Sequence, residues 1–303
     1  MALPLGTLAL GGGWLALHTP DSCRSAALRA LDLGFDALVP APTAKRFPWQ
    51  TLRAEIEDLP IGVPAIRVDP PFETKSGSLA SSRADDVLAA RARFERAAEL
   101  AARLGVATLI FEAPSLGLPL SSETREELEA ALTVGREPDT ELFERAAAAV
   151  EARRDAGLEH ACRHLHGLLR QFPDLHVCLT ESPDLGSLSG FTAIEAMLDD
   201  LAGLRRLHYW HQAAIVSWQA ASGGPATGHV LENLSKYLRG MDLADYGEHG
   251  YRSVPGSGLV DYRLLAPYTG PAGSRHSCCL ELDPACRVDE VKQGRAFLGK
   301  FGL

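Results

Sequence analysis

Residues 83–112, RADDVLAARARFERAAELAARLGVATLIFE, hold both halves of one structural unit. The first part, 83–105, is rich in Ala, Leu, Arg and Glu, which lose little side-chain freedom in a helix, and Gly105 stands where such a helix would stop. The second part, ATLIFE (107–112), is a short apolar run that ends in a carboxylate. Helix followed by short buried strand is the repeating unit of a parallel sheet covered by helices. The alternation recurs on both sides, with strands expected at LGTLAL (5–10), DALVP (36–40) and PAIRV (64–68), then at HVCLTE (176–181), RLHYW (206–210), GMDLAD (240–245) and SCCLELD (277–283). Together with ATLIFE these make eight, the number that closes a (β/α)8 TIM barrel. The chain of 303 residues reads as a single TIM-barrel domain, 1–303. An excursion after the fourth strand, at about 114–138, and a helical region over 139–171 elaborate one βα unit.

Composition bounds the partners. With 46% hydrophobic and 23% charged residues the chain is of ordinary globular type. A formal charge of −9 argues against nucleic acid as the main partner, because phosphate-backbone affinity comes from clustered Lys and Arg. No apolar run reaches membrane-spanning length, and the opening MALPLGTLALGGGWLAL lacks the basic region and cleavage site of a signal peptide. The six cysteines form no Cys-x-x-Cys pair and read as buried free thiols, in keeping with a cytoplasmic protein. Oligomeric state is left open, a homo-oligomer included.

A barrel places chemistry at the C-terminal ends of its strands. A core strand has no reason of its own to finish in a charge, yet Glu112, Glu181, Asp242, Asp245 and Glu281 stand at such ends, with His208 and His211 in the sixth run. Carboxylates plus imidazole suit a divalent ion such as Mn²⁺, Mg²⁺, Co²⁺ or Zn²⁺. Two glutamates on opposite sides of a hydroxycarbonyl compound would pass protons while the metal stabilises an enediolate. The alternative for each acid is a helix cap or a pairing with a nearby Arg or Lys.

Several stretches resemble the xylose isomerase-like barrels, a group that includes ketose 3-epimerases, hydroxypyruvate isomerases and, more distantly, endonuclease IV. They are LTES (179–182), HYWHQAA (208–214), MDLADY (241–246), LELDP (280–284) and, most specific of all, PGSGLVDY (255–262). The resemblance implies a divalent-metal-dependent isomerase or epimerase of a sugar, sugar phosphate or related polyhydroxy carbonyl compound. Glu181 and Glu281 would be both metal ligands and the acid and base, with His208 and Asp242 completing the metal set. Asp and His are thus exchanged between the sixth and seventh strands relative to the group. Glu112, His211, Asp245, His249, Arg252 and Trp210 would line the substrate site. A metal-free barrel acting as a binding module is the alternative, and an endonuclease IV-like metallohydrolase the third.

Other signals are weaker. GGGW (11–14) lacks the spacing of a dinucleotide loop and reads as a flexible loop at the barrel mouth. His160 and His164 share a helix face without a third ligand and read as surface histidines.

Overall fold

Each apolar run pairs with its neighbours because a strand buried on both faces can satisfy its backbone groups only in a ladder. The computed structural model describes residues 7–19, 21–41, 47–68, 77–117, 140–184, 186–248, 250–269 and 276–302, so all but the first residues of the expected excursion at 114–138 lie outside the described residues. The strands are β1 (Leu8–Gly11), β2 (Ala37–Val39), β3 (Ile66–Arg67), β4 (Thr108–Glu112), β5 (His176–Thr180), β6 (Leu207–Gln212), β7 (Leu238–Asp242), a hairpin of β8 (Asp245–Gly247) and β9 (Gly250–Ser253), and β10 (Ser277–Leu280). Eight of them form one parallel sheet in the order β2, β1, β10, β7, β6, β5, β4, β3. Its two edges meet. The amide of Leu38 donates to Gly62 O at 3.0 Å, that of Gly62 to Asp36 O at 3.0 Å, and that of Arg67 to Pro40 O at 2.9 Å. The TIM barrel read from the sequence is the fold.

The helix Ala84–Leu104 buries Val87, Ala90, Phe94, Ala97 and Ala101 as a stripe on the sheet and ends at Gly105, whose φ of 69° is the left-handed C-cap that glycine adopts without strain. The region expected to be helical over 139–171 is two helices, Thr140–Glu151 and Arg154–Gln171. Among the described residues no helix is long and apolar enough to cross a membrane.

Two local expectations are corrected. GGGW is no loop: Gly12–His18 is a helix that starts directly after β1 with Gly12, Gly13 and Trp14 buried. A Cβ on Gly12 would lie 2.7 Å from Val39 O, so glycine is what lets this helix pack on β2. Trp14 anchors it by donating its indole N–H to Cys286 O at 2.8 Å. GMDLAD is not one strand either. β7 stops at Asp242, and Asp245 opens the hairpin.

Inside the barrel, Ala9, Ala37, Val39, Ala65, Ile110, Cys178, Trp210 and Cys279 pack together as a cluster separate from the core between sheet and helices. Most are small, and Trp210 fills the space they leave. The β7 position in this layer is Gly240, where a Cβ would lie 2.2 Å from the Trp210 ring. Gly240→Ala is therefore expected to destabilise by about 1–3 kcal/mol through overpacking. Gly167→Ala, on the exposed face of Arg154–Gln171 with no atom near its Cβ position, should instead stabilise by about 0.5–1 kcal/mol. Urea unfolding of the two variants reads both signs.

Candidate active site at the C-terminal end of the barrel

Side chains along a strand alternate faces, so the residue two positions beyond each member of the small inner layer also points inward. Those residues are Gly11, Ala41, Arg67, Glu112, Thr180, Gln212, Asp242 and Glu281, six of the eight polar. A mainly polar layer thus caps an apolar one at the strand ends. None of its side chains is more than 4% exposed.

Arg67 organises it. From β3 its guanidinium reaches across the barrel to the opposite strands, where Nη2 donates to Asp242 Oδ2 at 2.6 Å and Nε lies 3.5 Å from Glu281 Oε2. Burial of a charge on this scale demands such partners. Glu281 fits because β1 ends in glycine: a Cβ on Gly11 would lie 2.5 Å from the Glu281 carboxyl carbon. Burial raises the Glu281 pKa to about 7, opposed by the charges of Arg67 and Arg252 and assisted by that of Asp242.

Glu181 stands one residue past β5. Its Oε1 accepts from the Tyr209 hydroxyl, its Oε2 from the Gln212 amide at 3.0 Å, and its carbonyl from Gln212 Nε2 at 3.0 Å. Burial outweighs these hydrogen bonds and raises its pKa to about 7, with the Asp242 charge adding to the shift. Asp242 is therefore within electrostatic reach of both glutamates.

The remaining expected residues divide. Glu112 is in the layer. Arg252, on β9, is buried with a left-handed φ of 68°, rare for a non-glycine residue, and its charge acts on Glu281. His208 is not in the layer. It lies two layers below Gln212 on β6, near the opposite mouth, where its Nε2 is 2.9 Å from His176 Nδ1. The sixth-strand residue at the strand end is Gln212. His211 alternates outward: its Nδ1 is 2.7 Å from the Tyr209 hydroxyl, so it stands behind Glu181 instead of facing a substrate. Trp210 belongs to the apolar layer beneath. Asp245 is saturated, its two oxygens accepting from the amides of Tyr246, Gly256, Gly258 and Val260 at 2.8 to 3.0 Å, so it builds the PGSGLVDY loop. His249 lies outside the described residues. Sequence reading missed Arg67, Tyr209 as a partner of Glu181, and Gln212; a charge inside the apolar PAIRV was the available signal for the first.

A divalent ion does not fit this donor set. Among the described residues no imidazole reaches the layer, and no group of three His, Cys, Asp or Glu is arranged to hold a metal. The guanidinium already pairs with Asp242 and Glu281. Like charges repel by about 4 kcal/mol at 4 Å and an effective dielectric near 20, and roughly twice that against a divalent ion.

No family model matches the chain, and no curated protein matches it in sequence. Solved structures do match. The 3-keto-D-glucoside 4-epimerase of E. coli superposes with a TM-score of 0.67 at 12% identity, over 97% of this chain and 99% of that one. The fold is that of the xylose isomerase-like barrels. A D-psicose 3-epimerase matches at TM-score 0.65 and 14% identity, over 98% of this chain and 99% of its own, and an L-ribulose 3-epimerase at 0.63 and 12%, over 98% and 94%. At such identities the likeness establishes the xylose isomerase-like barrel fold alone, and nothing in these matches bears on the endonuclease IV arm of the resemblance.

The shifted glutamates set a pH dependence. A carboxyl whose folded pKa lies above its unfolded value binds more protons when folded, so its contribution to stability falls as pH rises from about 4.5 to about 7. Each contributes at most roughly 1.4 kcal/mol per pH unit. Buried His211, lowered to about 3 by burial, acts oppositely below about 6.5, so the wild-type curve is a compromise. Whatever Glu181→Gln and Glu281→Gln cost at pH 5, that cost relative to wild type should therefore shrink as the pH rises to 7.5, measured by urea unfolding at each pH.

Proposed function

We propose that the barrel centre binds a small polyhydroxy carbonyl compound, a sugar or sugar phosphate, and isomerises or epimerises it by proton transfer through an enediolate. The observation that carries the reading is a set of buried polar atoms in one layer with no hydrogen-bond partner among the described residues, Arg67 Nη1, Thr180 Oγ1 and Asp242 Oδ1, beside a Glu281 carboxylate whose Oε2 meets Arg67 Nε only at ion-pair distance, 3.5 Å. Buried polar groups are otherwise almost always paired. Donors and acceptors mixed at this density suit a ligand with a carbonyl to accept and hydroxyls to donate.

Glu181 and Glu281, both near neutral pKa, are the acid and base of the proposal, since proton transfer is fastest from groups with a pKa close to the working pH. One carboxylate removes the proton beside the carbonyl, and the other, protonated, returns one to the neighbouring carbon, to the oxygen or to the opposite face. Glu112 and Arg252 would orient the substrate. The sugar epimerases named above support the substrate class without deciding it. A second reading, a binding module, draws on the burial of the whole layer and the missing metal set.

The test is incubation with a panel of ketoses, aldoses and their phosphates in deuterated water, read by NMR. Deuterium is expected at the carbon next to the carbonyl, with kcat lowered about 10²- to 10⁴-fold in Glu181→Gln and Glu281→Gln. The kcat/KM profile should be bell-shaped around pH 7, with apparent values that belong to the pair. A sugar that binds without exchange in wild type would favour the binding module instead.

A further inference from the structure

We propose that the guanidinium of Arg67 takes the place of a divalent cation at this centre, so that the site works without metal and its electrophile is the Nη1–H of Arg67. The charge pattern leads to this. Asp242, at the end of β7, and Glu281, one residue past β10, are a buried acidic pair that needs a cation, and Glu181, one residue past β5, adds its charge within reach of Asp242. The cation comes from the chain itself, from β3 on the far side of the barrel, and it engages Asp242 and Glu281 directly.

The geometry of the guanidinium supports a role beyond charge balance. It is planar, cannot lose its proton and presents five N–H donors in a fixed fork. Nη2 is committed to Asp242, whereas Nη1 is fully buried and has no hydrogen-bond partner among the described residues. A donor held rigidly in a dry site stabilises a developing oxyanion without reorganisation. The carbonyl oxygen of a hydroxycarbonyl substrate would accept from Nη1 as the proton on the adjacent carbon passes to a glutamate, and the negative charge left on that oxygen would face the guanidinium. No redox partner or co-reactant is needed.

The catalytic part of this inference rests on the proposed isomerase reading; the metal part does not. The test accordingly reads metal and stability, not turnover. Wild type, Arg67→Lys and Arg67→Ala are purified, analysed for bound metal, and melted with and without MnCl₂, MgCl₂, CoCl₂ or ZnCl₂. Wild type is expected to carry no stoichiometric metal and to melt within about 1 °C of the same temperature in every salt. Arg67→Ala, which removes the cation that Asp242 and Glu281 share, should melt well below wild type and be raised several degrees by Mn²⁺, while Arg67→Lys, which keeps the charge, should show no such rise. Should Arg67→Ala not fold, wild type and Arg67→Lys decide the matter alone. About one ion per wild-type chain, or a wild-type melting point raised by Mn²⁺, would overturn the proposal, as would an Arg67→Ala variant as stable as wild type.

Discussion

The ion pair that Arg67 makes across the barrel with Asp242 and Glu281 is the constraint on which the rest of the site depends. A guanidinium buried to this extent is tolerable only among carboxylates, and carboxylates buried this far need a cation. Neither half is stable without the other. Removing one partner of such a pair typically costs about 3–5 kcal/mol because it leaves an uncompensated charge. The neighbouring choices follow from it: glycine at position 11 makes room for the Glu281 carboxylate, and the strained Arg252 adds a second positive charge beside it.

The barrel interior is built in layers that separate chemistry from support. At the C-terminal end is the polar layer around Arg67. Beneath it the small residues and Trp210 form a dry floor, fitted to Gly240. At the opposite end, Thr108, His176, His208 and Arg239 form a second polar set in which Arg239 Nε donates to Thr108 Oγ1 at 3.3 Å and the two imidazoles face each other. Burial holds His208 down to about 4, so it is neutral and packs as a structural group. The barrel thus has two polar ends and an apolar waist, and at the upper end Asp242 and Glu281 meet a buried guanidinium.

The fold was legible because helix and strand periodicities alternate cleanly, and every expected strand overlaps one in the barrel. The strand-end rule found Glu112, Asp242 and Glu281 for the same reason: they are the charges that an apolar run has no cause to include. His208 differs from its expected place because the pleat, and not the spacing within HYWHQAA, decides which side chain reaches the strand end; counting in twos from Trp210 leads to Gln212. Arg67 escaped because β3 is only two residues long, so a central arginine in PAIRV does not look like a strand end. Asp245 could not be separated from Asp242 by sequence, since three of the four amides that its carboxylate accepts from lie in the PGSGLVDY loop, 11 to 15 residues further along the chain. GGGW looked like a loop because glycine is a poor helix former; close packing against β2 overrides that preference.

The most direct measurement is a crystal structure of the wild-type protein grown with MnCl₂, with anomalous diffraction collected to locate manganese. The account expects guanidinium density between Asp242 and Glu281 and no anomalous peak at the strand ends. A manganese peak ligated by Glu181, Asp242 and Glu281, with Arg67 turned away, would contradict it.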